Sequence, residues 1–236
     1  CSSDLFGRKW WQSDHRLLGN WSEITKFAVS TNLSGTVNLV IRDSEVLWVG
    51  LFLSTEAAGY YKFALAVMNV ILMPITPFIS TTYPEMNRII AKKNWGMLRG
   101  LLKRTTIIAA VWTGACGLGM FFIGPWLLGW LKNGLYLPSF PLMMVLLVGF
   151  GTANLFFWNR NLLLAFNFPH YPLKVTFIVG AIKTALLFFL VKPYGAIAQA
   201  GLLSGYLSIS VILIVMRGVK VLKQKELSTP AGEGAA

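Results

Sequence analysis

The sequence predicts an all-α fold, a polytopic membrane protein built as a bundle of six transmembrane helices. Of its 236 residues, 55% are hydrophobic and only 13% are charged, whereas soluble domains carry about 25% charged residues. Apolar runs of about 20 residues, the length that crosses a bilayer, recur along the chain. These features exclude a soluble enzyme, a disordered chain and a disulfide scaffold.

The apolar runs divide the chain into six predicted spans. We expect them at residues 27–53, 58–86, 105–131, 139–165, 175–191 and 197–216. Each should be a helix, because only helices and closed barrels satisfy the backbone in lipid, and these runs are too long for barrel strands. Pro74 and Pro77 predict a kink inside the second span, and Pro193 predicts a turn between the last two spans.

The domain organisation follows from these spans. It comprises a segment at residues 1–26, a six-helix transmembrane lobe at 27–222 and a tail at 223–236. The tail is rich in small and polar residues, so we expect it to be disordered.

Positive charge is distributed unevenly between the two sides of this topology. With the N-terminal segment inside, fifteen of the 21 Lys and Arg residues fall in inner segments, and only Lys132 and Lys192 fall in outer loops. Cytoplasmic loops of membrane proteins collect Lys and Arg, so we predict that both ends are cytoplasmic. The net charge of +12 therefore indicates orientation rather than a nucleic-acid partner. The basic loop at 88–104 also suits contact with anionic lipid head groups.

The first span carries one polar stripe. Its members are spaced 3, 4, 4 and 3 residues apart, which places them within an arc of about 80°, and they are Thr31, Ser34, Asn38, Arg42 and Glu45. A charge near the bilayer centre costs several kcal/mol unless it faces the bundle interior or a wet cavity. Arg42 could therefore face such a cavity, or it could form a structural ion pair with Glu45.

Two further cations lie within predicted spans. Lys183 is at the centre of the fifth span, where only a partner or a wet cavity offsets its burial. Arg160, near the inner end of the fourth span, could line a cavity or extend to the cytoplasmic interface. The candidate substrate-binding residues are therefore Arg42, Lys183, Asn38, Glu45 and Arg160.

The sequence offers little for catalysis or metal binding. Its two cysteines, Cys1 and Cys116, and its two histidines, His15 and His170, have no metal-ligand spacing. No P-loop, His-Glu-x-x-His or Gly-x-Ser-x-Gly motif occurs. We expect no catalytic residue, no metal and no cofactor. The small residues at 114–119 favour close helix packing, with a flexible gating point as the alternative.

The region from 27 to 88 resembles the start of the C-terminal half of bacterial polysaccharide biosynthesis proteins, the oligosaccharide-lipid flippases of the multidrug/oligosaccharidyl-lipid/polysaccharide exporter superfamily. The resemblance rests on Arg42, on the acidic-x-x-x-x-Gly run from Glu45 to Gly50, on Gly59-Tyr60-Tyr61 and on Pro84. The family more often has Asp where Glu45 stands. Phe157-Trp158 and Tyr194-Gly195 extend the similarity, which covers about residues 20–222.

The resemblance implies one lobe of a two-lobe transporter with a central cavity. The partners it implies are a lipid-linked oligosaccharide with an anionic diphosphate, the lipid bilayer and a missing N-terminal six-helix lobe. It implies a non-enzymatic flippase of the bacterial inner membrane, acting in surface polysaccharide (lipopolysaccharide-type) biosynthesis. Alternating access would come from rocking of the two lobes, so this lobe alone should not transport.

Two other functions remain open. A drug or cation antiporter of the same superfamily would need acidic residues in the cavity, where this chain offers mainly cations. A membrane polysaccharide polymerase or ligase would need a folded extracytoplasmic loop, and the predicted outer loops are only a few residues long.

Overall fold

A computed structural model describes residues 44–228, which form helices and turns without any strand. The predicted all-α class is therefore confirmed for this part of the chain. Short 3-10 turns at Met73–Ile75 and Leu131–Gly134 separate some of the helices. The α-helices are α1 (Glu45–Phe52), α2 (Thr55–Leu72), α3 (Thr76–Ala91), α4 (Trp95–Trp130), α5 (Ser139–Leu155), α6 (Asn159–Ala165) and α7 (His170–Ser228).

Four helical stretches among the described residues are long and apolar enough to cross a membrane: Thr55–Ala91, Trp95–Gly134, Ser139–Ala165 and His170–Leu227. Their outer faces expose large apolar side chains, including Phe122 at 73% and Phe189 at 76%. Water would make such faces an aggregation hazard, whereas lipid solvates them. The chain is a membrane protein. The count of six spans stays a prediction, because most of the first span, 27–53, lies outside the described residues.

The last stretch, α7, bends sharply at Gly195, whose φ of 70° and ψ of −159° are not helical. Lys183 and Gln199 both donate a hydrogen bond to the carboxylate of Glu45. In a straight helix these two residues would be about 24 Å apart, so the chain must fold back between them. We call residues 170–194 the first arm and 196–228 the second arm. They correspond to the predicted fifth and sixth spans, and Pro193 precedes the bend as expected.

The second predicted span changes its helical geometry at the position where its prolines predicted a kink. The α-helical pattern changes to a 3-10 turn at Met73–Ile75, between α2 and α3. Pro74 cannot donate a backbone hydrogen bond to the preceding turn. The indole of Trp112, on α4, donates to the carbonyl oxygen of Ile71 at 2.9 Å, which ties the kink to the neighbouring helix.

The fourth predicted span, 139–165, is not one continuous helix. α5 ends at Leu155, and α6 begins at Asn159. Between them the buried indole of Trp158 donates to the hydroxyl of Thr106 at 2.8 Å. The predicted bounds of this span agree with the helical stretch Ser139–Ala165, whereas the interruption between α5 and α6 was not predicted.

A close helix crossing joins α5 to the second arm of α7 at Gly149 and Ser204. A Cβ added to Gly149 would lie 2.9 Å from the carbonyl oxygen of Ser204 and closer still to its Cα. Ser204 also donates to the carbonyl oxygen of Val145 at 2.6 Å. Small residues permit such close approach in membrane bundles. Of the small residues at 114–119, which were predicted to favour close packing, Gly117 lies against Leu147. Gly114 and Gly119 face open space.

The turns of the bundle lie at two opposite ends. At one end, Lys192 is 5.9 Å from the ring of Phe52, and Phe63 stacks on Tyr136. At the other end, an apolar cluster joins the remaining turns: Met86, Ile89, Leu98, Leu102, Trp158, Leu162, Leu163, Phe166, Val175, Ile214, Val221 and Leu222. The predicted alternation of inner and outer loops requires this separation of the turns. The assignment of one end to the cytoplasm stays a prediction.

The last helix extends into the region predicted as the tail. Residues 223–228 continue α7, and Glu226 accepts a 2.7 Å ion pair from Arg99 on α4. Lys, Gln and Glu are good helix formers, so polarity alone did not end this helix. Residues 229–236, like the segment at 1–26, lie outside the described residues.

The topology can be tested with single cysteines in a background in which Cys1 and Cys116 are replaced by Ser. Cysteines at Glu56 and Lys192, which are exposed at one end of the bundle, should react with a membrane-impermeant maleimide in intact cells. A cysteine at Asn94, at the other end, should react only after permeabilisation. Labelling of the Asn94 position in intact cells would reverse the predicted orientation.

Candidate functional site

The candidate site is a cluster of charged and polar side chains in the core of the apolar bundle. Glu45, in the first turn of α1, is fully buried, and Lys183, in the first arm of α7, is 3% exposed. The Lys183 ammonium forms an ion pair with Glu45 Oε1. We call Glu45, Tyr61, Lys183 and Gln199 the core cluster.

Two neutral side chains complete the coordination of the Glu45 carboxylate. The Tyr61 hydroxyl, on α2, donates to Glu45 Oε2 at 3.1 Å. The Gln199 amide, on the second arm of α7, donates to the same oxygen at 2.5 Å. One carboxylate therefore holds together α1, α2 and both arms of the α7 hairpin. Each of these three bonds is charge-assisted, and such bonds are stronger than those between neutral groups.

The surroundings of Lys183 are apolar and aromatic. Its ammonium lies 6.0 Å from the centroid of the Tyr206 ring, close enough for a cation–π contribution. Glu45 and the Tyr206 ring therefore both contribute to stabilising the ammonium charge in this conformation. An anion that bound at Lys183 would compete with Glu45 or join the pair.

One acceptor of the core cluster remains unused. Gln199 Oε1 is buried and has no hydrogen-bond partner among the described residues. An unpaired buried acceptor costs about 1–3 kcal/mol. A network that served only to hold the helices together would be expected to avoid this cost.

The predicted site residues fall into three groups. Glu45 and Lys183 are brought together, a pairing that sequence spacing did not anticipate. Arg160 is exposed at the start of α6, and within the described residues no hydrogen bond or ion pair joins it to the core cluster. Arg42 and Asn38 lie outside the described residues. The assignment of all five to substrate binding stays a prediction.

Sequence reasoning missed two members of the core cluster. Tyr61 was noted as part of the Gly59-Tyr60-Tyr61 motif but not as a site residue. It is fully buried, whereas its neighbour Tyr60 donates to the exposed Glu56 at 2.7 Å. Gln199 is not among the predicted site residues. Its signal was available, because it is the one amide side chain within the predicted sixth span, 197–216.

The described residues hold no group of three His, Cys, Asp or Glu side chains that could bind a metal ion. Within the core cluster, Tyr61, Lys183 and Gln199 each donate a hydrogen bond to Glu45. The chemistry present is that of ion pairing and hydrogen bonding inside a membrane bundle.

Comparison with known proteins gives one match. The family model described as "Polysaccharide biosynthesis protein" matches residues 6–130, more than half of the chain. The matched region includes Glu45 and Tyr61, whereas Lys183 and Gln199 lie beyond it. No curated protein and no solved structure matches the chain.

Proposed function

Since the chain belongs to the polysaccharide biosynthesis protein family, we propose that it is a lobe of a flippase. The flippase would carry a polyprenyl-diphosphate-linked oligosaccharide across the bacterial inner membrane. The chain would be the C-terminal lobe of a two-lobe transporter, paired with an N-terminal six-helix lobe. It would act without catalysis in the biosynthesis of a surface polysaccharide such as lipopolysaccharide.

The observation that carries the proposal is the buried Glu45–Lys183 pair. Replacing a buried ion pair by apolar side chains is often neutral or stabilising, so stability alone does not account for its presence. Ionisable residues inside membrane spans usually mark a substrate or ion pathway. In a family that builds polysaccharides, a cation in the core suits an anionic lipid-linked intermediate.

The core cluster suggests how substrate and conformation are coupled. The diphosphate must lose hydration in the low-dielectric core, and a cation offsets part of that cost. Lys183 would supply a point charge and Arg42 a planar, bidentate contact. When the diphosphate takes the place of Glu45 at Lys183, the bonds that join α1 and α2 to the α7 hairpin weaken. Binding would thereby favour the rocking motion expected of two-lobe transporters.

Two observations support a transporter over the other functions considered. The turn between α1 and α2 is only two residues long, and the bend at Gly195 joins the two arms directly. Neither provides a folded loop of the kind that a membrane polymerase or ligase uses. The Glu45 carboxylate is already paired with Lys183, which leaves it poorly placed to bind the cation of an antiporter.

Arg42 tests the proposal directly. In the full-length transporter, Arg42→Ala should lower export about 30-fold or more, since losing one partner of a desolvated charge pair costs at least about 2 kcal/mol. Arg42→Lys should retain part of the activity, because the charge stays while the planar fork is lost. The measurement is surface polysaccharide restored in a flippase-deficient strain.

The control for this test is Lys62→Ala, which removes an exposed cation of α2 and should leave export unchanged. Glu45 remains paired with Lys183 in the Arg42 variants, so their membrane levels should match the wild type. Normal export by a stably inserted Arg42→Ala protein would end the substrate-binding assignment.

A further inference from the structure

A groove with basic side chains lies at the end of the bundle that the charge bias places in the cytoplasm. It runs between the N-terminal part of α4 and the C-terminal part of the second arm of α7, over the buried indole of Trp158. We call it the basic groove. The residues that matter for its chemistry are Arg99, Lys103, Ile107, Trp158, Val219 and Lys223.

The basic groove changes from charged to apolar along its length. On α4, Arg99 and Lys103 lie one turn apart, and Ile107 follows one turn further into the bundle. On α7, which ends nearby, Lys223 lies one turn closer to the helix end than Val219. Residues four apart share one helix face. The groove thus has a cationic mouth and an apolar interior, oriented along the helices.

The charges at the mouth are only partly compensated. Arg99, which lines the groove, donates to Glu226 at 2.7 Å. Lys103 and Lys223 are exposed, and neither has an ion-pair partner among residues 44–228. Two like charges facing one groove repel each other, so an anion between them would be bound favourably.

We propose that the basic groove binds an anionic phospholipid, with its phosphate at Lys103 and Lys223 and an acyl chain along Ile107 and Val219. The order of groups in the groove matches the order in the lipid, head group first and then hydrocarbon. Basic pockets between membrane helices on the cytoplasmic side are suited to anionic head groups. The inference does not depend on flippase activity and uses no member of the core cluster.

The fixed floor of the groove supports a defined site. Trp158 is 4% exposed, and its indole is held by the bond to Thr106, which also lines the groove. The apolar surface at Trp158 suits contact with the hydrocarbon tail of a ligand. The lysines beside it suit an ion pair with the ligand's head group.

The experiment compares two double variants of the full chain in detergent. Lys103→Gln with Lys223→Gln removes the cations of the groove. Arg104→Gln with Lys220→Gln removes the same total charge from exposed neighbours on the same two helices that do not line the groove. The probe is phosphatidylglycerol, and the readout is the lipid bound at each concentration, measured by native mass spectrometry.

Wild-type protein and the Arg104/Lys220 variant should bind phosphatidylglycerol within twofold of each other. The Lys103/Lys223 variant should bind about 25-fold more weakly, because each basic residue at an anionic lipid contributes about fivefold. Lys103→Arg with Lys223→Arg keeps both charges and should keep binding. The melting temperature of each lipid-free variant verifies that the fold is intact, as expected for exposed positions.

Several results would overturn the proposal. An equal loss in both glutamine variants would indicate a general effect of surface charge. Equal binding of phosphatidylcholine would remove the role of the anion. Displacement of the lipid by millimolar inorganic phosphate would indicate a site for free anions. Tighter binding of a polyprenyl phosphate than of phosphatidylglycerol would assign the groove to the transported lipid instead.

Discussion

Replacing Lys183 with methionine should lower the free energy of unfolding by about 3–5 kcal/mol, because it leaves the fully buried Glu45 carboxylate without its counter-charge. Methionine keeps most of the side-chain length, so the loss reports charge rather than a cavity. The measurement is unfolding of the purified protein in detergent, with membrane protein level as a second readout.

The matched control is Lys62→Met, the same chemical change at an exposed position, which should alter stability by no more than about 0.5 kcal/mol. A similar small effect at Lys183 would contradict the buried ion pair.

The double variant Glu45→Gln with Lys183→Met separates a structural role from a functional one. It removes both charges, while the new amide oxygen can still accept from Tyr61 and Gln199. Most of the lost stability should return, since uncharged replacement of a buried pair is often tolerated. Export should remain abolished if the core cluster serves transport. Near-normal export from this stable variant would show that the cluster only holds the helices together.

Gly149→Leu should destabilise the bundle by about 3 kcal/mol, at the upper end of the usual cost of overpacking. Even a single added carbon would lie 2.9 Å from the carbonyl oxygen of Ser204. The obstacle is backbone, so no side-chain rotation relieves it. α5 and the second arm of α7 would have to separate, which also breaks the bond from Ser204 to Val145.

Gly201→Leu is the control for this prediction, because Gly201 lies on the same arm of α7 with nothing within 4 Å of an added Cβ. It should be neutral or stabilise the protein by up to about 1 kcal/mol, because leucine favours a helix more than glycine does. The two variants have the same composition, so comparing their unfolding in detergent isolates the helix crossing. Equal stability of both variants would rule out close packing at Gly149.

Much of the architecture could be predicted from local sequence. Runs of apolar residues located the long helices, and prolines located the kink before Thr76 and the bend at Gly195. The interruption before α6 was not predicted, nor was the bond near it from Trp158 to Thr106, which joins residues 52 positions apart. The helix at residues 223–228 was missed although its Lys, Gln and Glu side chains favour a helix. The bond from Arg99 to Glu226, which spans 127 positions, could not be predicted from local sequence.

The candidate site also combines residues that the sequence identified with contacts that it did not predict. Lys183 and Glu45 were each selected from the sequence, because an ionisable residue in an apolar span is conspicuous by itself. Their pairing was not predicted, because Lys183 lies 138 positions away from Glu45. The pairing of Arg42 with Glu45, which the spacing left open, lies outside the described residues. Tyr61 and Gln199 joined the site only through the same fold.

The sequence by itself determined that this protein is helical, apolar and built for a membrane, because those properties depend on the solvent around each segment and on local backbone chemistry. Only the tertiary structure decided which charges meet. The folding back of α7 at Gly195 places Lys183 and Gln199 at one carboxylate, and the close crossing at Gly149 packs the second arm against α5. Contacts between distant segments depend on how the helices pack, and no local pattern of residues records that packing.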